Sequence, residues 1–65
     1  MENVVSTALK YEGSDLEYTV TFAHELSLTG KINHLKDNIY RVVTTNYDYY
    51  FDAAKVIHIH KKLRR

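Results

Sequence analysis

His58 and His60 are separated by a single residue in the run Val56-Ile57-His58-Ile59-His60. On a strand both imidazoles project from one face, close enough for both to reach one divalent ion. His34 or a carboxylate would be the natural third ligand; without one, two imidazoles are a weak signal, and neither a metal nor another cofactor is expected. The four histidines offer a second chemistry, a change of charge between about pH 5 and 7 that would act on assembly if they lay at subunit edges. The cationic run Lys61-Lys62-Leu63-Arg64-Arg65 can neutralise phosphates with salt-sensitive, sequence-independent affinity; its plainer reading is a solvated terminus. Tyr40, Tyr47, Tyr49 and Tyr50 lie near Lys36 and Arg41 in the sequence, and any of them facing outward could stack bases. Alternation, however, sets Tyr47, Tyr49 and Phe51 on one side, which reads first as a core face or an aromatic-rich subunit interface. Catalysis has the least to stand on. Ser6, Ser14 and Ser27 belong to no activating motif, Asp48 and Asp52 are four residues apart, and no glycine-rich phosphate loop is present. The chain is not expected to be an enzyme.

The elements that must position these groups follow from periodicity. From Leu16 the pattern alternates strictly, with Leu16, Tyr18, Val20 and Phe22 on one side and Glu17, Thr19 and Thr21 on the other, as a strand with one wet face requires. After Ala23-His24-Glu25 a second strand has Leu26, Leu28 and Ile32 alternating with Ser27, Thr29 and Lys31. Gly30 falls where an inward side chain would otherwise stand, which predicts a sharp bend that lets one long strand serve both halves of a small barrel. Lys36-Asp37-Asn38 is a turn, Ile39 to Thr45 a third strand, and Asn46 turns the chain into a fourth. The run Tyr47 to His60 then reads as strand, one tight 3₁₀ turn, strand. Residues 2–11 fit a helical face through Val4, Val5, Ala8 and Leu9 or a strand face through Val5, Thr7, Leu9 and Tyr11. A short helix is favoured, although Val-Val-Ser-Thr is a poor helix former.

With 65 residues the chain is one domain, 1–65, near the lower limit at which a core sustains folding without a disulfide, a metal or a partner. It has no cysteine and no proline. The first fits a reducing, cytoplasmic setting; the second leaves sheet edges without a common protection against pairing. No apolar run approaches the roughly 20 residues of a membrane helix, and the N-terminal residues lack the basic stretch and apolar core of a signal peptide, so a soluble, unexported protein is expected. The net charge of +1 conceals a division. Residues 1–30 hold Glu2, Glu12, Asp15, Glu17 and Glu25 against Lys10, a balance of −4, whereas residues 31–65 balance at +5 with a basic tail at 61–65.

The order of elements resembles the Sm-like family, including its Hfq branch, over about residues 6–60. Tyr18-Thr19-Val20-Thr21-Phe22, a turn and Leu26-Ser27-Leu28-Thr29-Gly30-Lys31-Ile32 look like the first Sm motif, and Phe51-Asp52-Ala53-Ala54-Lys55-Val56-Ile57-His58-Ile59 like the second. The resemblance implies an all-β, five-stranded, strongly bent barrel of Sm-like or SH3-like type, with a short N-terminal helix or extra strand. It also implies oligomers in which strand four pairs with a neighbour's strand five. The chain departs from the family at its RNA pocket. His24-Glu25 stands in place of a glycine in the first hairpin turn, Lys36 falls at the acidic position after the second strand, Tyr40 at the asparagine position, and Asp52 at the basic position of the second motif's turn. The YolD-like small barrel is similar as well and fits the Phe51-Asp52 turn.

Two functions follow as expectations. One is a nucleic-acid-binding, chiefly RNA-binding, regulatory homo-oligomer that uses Lys36, Tyr40, Arg41, Lys61, Lys62, Arg64 and Arg65. Its subunits would meet through Tyr47, Tyr49, Phe51, Val56, Ile57, His58, Ile59 and His60. The other is a protein-interaction module, an adaptor or inhibitor of bacterial or phage origin, docking a protein partner through a strand edge or the acidic N-terminal half.

Overall fold

In the computed structural model, which describes residues 3–62, the first element is a helix, α1, Val4–Glu12. Its propensity is poor, and a capping box starts it: the Ser6 N–H donates to Asn3 Oδ1 at 2.8 Å and the Asn3 N–H donates to Ser6 Oγ at 2.9 Å. Gly13, at φ 95°, ends it by donating its N–H to the Leu9 carbonyl at 2.9 Å. Val5 is buried and Ala8 and Leu9 pack against the core, so tertiary burial completes what propensity leaves undone.

Five antiparallel strands follow: β1 Glu17–Phe22, β2 Ser27–Lys36, β3 Ile39–Val43, β4 Asp48–Asp52 and β5 Val56–Lys61. They form one sheet in the order β4-β3-β2-β1-β5. The register explains why β2 is ten residues long. Ser27 to Lys31 pair with β1 and Lys31 to Lys36 pair with β3, so the strand changes partner at the Gly30–Lys31 step. There a Cβ on Gly30 would run into the Val43 carbonyl. The expected bend is therefore real, and its cause is backbone crossing close over a residue without a side chain.

The bend folds the apolar face of the sheet onto itself. Phe22 of β1 meets Phe51 and Tyr49 of β4 with ring centroids 5.3 and 5.7 Å apart, and Tyr40 stacks on Phe51 at 6.0 Å. Val20, Leu28, Ile32, Val42, Ala53 and Val56 fill the remaining space. "Barrel" overstates this closure: β4 and β5 are the two ends of the sheet order and are not hydrogen-bonded to each other. Between them stands a single 3₁₀ turn, Ala53–Lys55, capped by Asp52, whose Oδ1 accepts the Ala54 N–H at 2.9 Å. The third strand is shorter than expected, ending at Val43 because Thr44 turns to accept the Tyr47 N–H on its hydroxyl.

Candidate interaction surfaces: the outer sheet face and two open edges

Alternation gives the sheet an outer face whose rows can be read from the register. Thr19 lies between Thr29 and His60, and Thr21 between Ser27 and His58. Their hydroxyls pair across the strands, Thr19 Oγ1 to Thr29 Oγ1 at 2.8 Å and Thr21 Oγ1 to Ser27 Oγ at 2.9 Å. Beside them His60 Nδ1 and His58 Nε2 share a hydrogen bond of 3.2 Å. On the other half of the face Arg41 is flanked by Asn33 and Tyr50. Its Nη2 and Nε both donate to Asn33 Oδ1, at 2.9 and 3.3 Å, and Nη1 lies 4.0 Å from Asp48 Oδ2. Arg41 is thereby held, half-buried, next to Tyr50, which is 59% exposed.

The residues expected to bind nucleic acid do not converge. Tyr40 is 3% exposed, packed between Phe51 and the His34 ring, whose centroid is 4.8 Å away; it belongs to the core and offers no face to a base. Lys36 is exposed at the end of β2, beside the turn, while Arg41 lies on the outer face. Lys61 and Lys62 sit across the sheet and are ion-paired with the acidic half of the chain, Lys61 Nζ to Glu12 Oε1 at 3.0 Å and Lys62 Nζ to Glu17 Oε1 at 3.2 Å. Exposed pairs of this kind are worth about 0–1 kcal/mol, so they do not immobilise the lysines. They do cancel the charge division read from the sequence, because the basic end of β5 lies against the acidic residues meant to stand apart from it. Arg64 and Arg65 lie outside the described residues.

The residues expected at a subunit interface divide by burial. Phe51 and Val56 are 7% and 8% exposed and face the core, with Tyr49 and Ile59 packed half-buried against it. Phe51 and Val56 therefore serve the fold, while Tyr49 and Ile59 keep part of their surface open. Tyr47, Ile57, His58 and His60 are exposed. Tyr50, one of the tyrosines expected to stack bases if it faced outward, is exposed. The alternation that placed Tyr49 inward was already the signal that Tyr50 faces outward.

The edges have a defined hydrogen-bonding polarity. On β4 the pairs Thr44 with Tyr47 and Asn38 with Ala53 are hydrogen-bonded to the β3 side. With the register of Val42 to Tyr49 and Tyr40 to Phe51, alternation turns the backbone groups of Asp48, Tyr50 and Asp52 toward the open side. On β5 the Lys62 N–H donates to the Glu17 carbonyl at 2.9 Å, and His58 and His60 stand in the same phase, so Ile59 and Lys61 turn theirs outward. A bulge at Ile57 interrupts this edge between the pairings of Thr21 and Phe22.

Among the described residues no group of three or more His, Cys, Asp or Glu is placed to hold a metal ion. His34, offered above as a third ligand, instead bonds the Asp37 carbonyl through Nε2 at 2.8 Å. No helix of the described residues is long and apolar enough to cross a membrane. No protein-family model matches the chain, and no curated protein or solved structure matches it at a significant level. The fold and its surfaces therefore carry the functional argument: the class they define is a small, bent, open antiparallel sheet capped by one helix.

Proposed function

We propose that this chain is a binding module, not an enzyme, that assembles with copies of itself by pairing the β4 edge of one copy with the β5 edge of the next. The observation that carries the reading is the pair of opposite sheet edges left unpaired among the described residues, each presenting backbone donors and acceptors with no proline to block them. The charges favour unlike edges: β4 carries Asp48 and Asp52, whereas β5 carries His58, His60 and Lys61. Joining β4 to β4 would set carboxylates against each other, and joining β4 to β5 sets them against Lys61 and two imidazoles. Such a head-to-tail contact leaves one edge free at each end, so assembly continues until a ring closes. The resemblance to Sm-like proteins, with strand four meeting a neighbour's strand five, supports the same arrangement.

A second reading, nucleic-acid binding on the outer face, is favoured by one specific feature, the Arg41 guanidinium fixed by Asn33 beside the exposed ring of Tyr50. An exposed aromatic next to a fixed cation is a stacking and phosphate-contact element. Light scattering after size exclusion tests both readings on one sample. A discrete oligomer that persists in high salt with a protein-like 260/280 nm absorbance ratio is the expected result. An oligomer that carries nucleic acid until salt removes it moves the second reading to first place, and a monomer at every concentration ends the assembly proposal.

A further inference from the structure

The strongest feature that the edge-pairing reading leaves unused is the His58–His60 pair. Both rings are exposed, their centroids are 5.2 Å apart, and one hydrogen bond of 3.2 Å joins His60 Nδ1 to His58 Nε2. That bond needs one nitrogen with a proton and one with a lone pair; when the donor ring carries its proton on its other nitrogen instead, both facing nitrogens hold lone pairs and, with a small turn of the rings, can ligate one cation. Metal–nitrogen bonds of about 2.0–2.1 Å in a tetrahedral site place two ligating nitrogens about 3.3–3.4 Å apart. The 3.2 Å bite already lies within a few tenths of an ångström of that spacing.

The surroundings do not oppose a cation. The two lysines that follow, Lys61 and Lys62, are each neutralised by a glutamate, at 3.0 and 3.2 Å. Across the ladder from His58 and His60 stand Thr21 and Thr19, hydroxyl groups whose lone pairs can accept hydrogen bonds from water molecules bound to an ion. Imidazole nitrogen suits zinc, nickel and copper, and not the hard cations that prefer carboxylates.

We propose that His58 and His60 form a bidentate site on the outer face of β5 for a borderline divalent cation of the zinc, nickel or copper class, with the remaining coordination positions taken by water. The site requires no second copy of the chain, so it stands or falls apart from the assembly reading. Its test is calorimetric titration of the purified chain with zinc chloride, repeated with nickel chloride, and histidine-ring NMR on the same samples. One ion per chain is expected, with the ring resonances of His58 and His60 shifting together. Even an outer partner of a metal ligand contributes about 10- to 100-fold to affinity, so H58Q or H60Q alone is expected to weaken binding at least about tenfold. H24Q, at a histidine packed on Phe22, leaves it unchanged. Because both substitutions are at exposed positions, far-UV circular dichroism is expected to match the parent. No saturable binding, or binding that survives both H58Q and H60Q, overturns the proposal.

Discussion

Tyr18 joins the helix to the sheet with a single hydroxyl. The ring is 1% exposed and the Oη–H donates to the Gly13 carbonyl at 2.5 Å, with the Ala8 carbonyl 3.4 Å away. The Gly13 carbonyl, at the C-terminal cap of α1, is one that the helix end would otherwise leave short of a partner. Burial raises the Tyr18 pKa above its ordinary value, the Glu12 charge raises it further, and the Lys61 cation works against both. A group whose folded pKa is raised contributes stability that is fully present below its unfolded pKa, about 10 for tyrosine, and is lost as pH rises through the folded value. Tyr18→Phe is therefore expected to lower stability at pH 8 by about 1 kcal/mol, the net worth of a typical hydrogen bond. The gap between variant and parent should then narrow above about pH 10. Urea midpoints at the two pH values check this, and a gap that is constant or widens with pH would remove Tyr18 ionisation from the account.

At the scale of elements, the bend in β2 decides the architecture, and Gly30 decides the bend. An added Cβ would overlap the Val43 carbonyl and crowd the Thr44 nitrogen. Both are backbone atoms at the end of β3, the strand that β2 must pair with, so no flexible side chain can yield. Gly30→Ala should destabilise the chain by about 3 kcal/mol, the upper end of overpacking penalties, with the change seen as a lower urea midpoint. A substitution that left the midpoint unchanged would mean the crossing relaxes at no cost. This bend was legible in the sequence because a glycine interrupting an alternating pattern has few other uses. The strands and the 3₁₀ turn were legible for the same kind of reason. The helix at Val4–Glu12 was half legible: its face through Val5, Ala8 and Leu9 competes with an equally good strand face, and the Asn3–Ser6 capping box that settles the matter depends on side-chain geometry. The site residues were the least legible. Alternation says that Tyr40 and Arg41 face opposite ways without saying which side is covered, and only the contact of Tyr40 with Phe51 and His34 puts it inside. Nor does local pattern reveal that Lys61 will meet Glu12, 49 residues away along the chain.

At the scale of the whole molecule, a 65-residue chain whose described residues leave two sheet edges unpaired has two ways to limit association. It can blunt each edge or pair it. β5 is partly blunted, by the bulge at Ile57 and by Lys61. β4 has neither device: it is five residues long, and the groups facing its open side belong to Asp48, Tyr50 and Asp52. That asymmetry gives a substitution able to separate folding from assembly. The Tyr50 N–H points away from β3, because the hydrogen-bonded pairs of the β3–β4 ladder fall at Tyr49 and Phe51, so a proline at position 50 removes no bond within the chain. Proline is accepted on edge strands at such outward positions, where it removes the donor that a neighbouring strand would use. Tyr50→Pro is therefore expected to keep the parent's far-UV circular dichroism and a cooperative urea transition while running as a monomer in light scattering. Tyr49→Pro, one residue earlier, deletes a donor to β3 and is expected to unfold the chain, which shows that position, and not proline itself, sets the outcome. If Tyr50→Pro folds and still assembles at the parent's size, the β4 edge is not the contact, and the exposed outer face, with Tyr50 itself replaced, is excluded as a tyrosine-dependent contact by the same experiment.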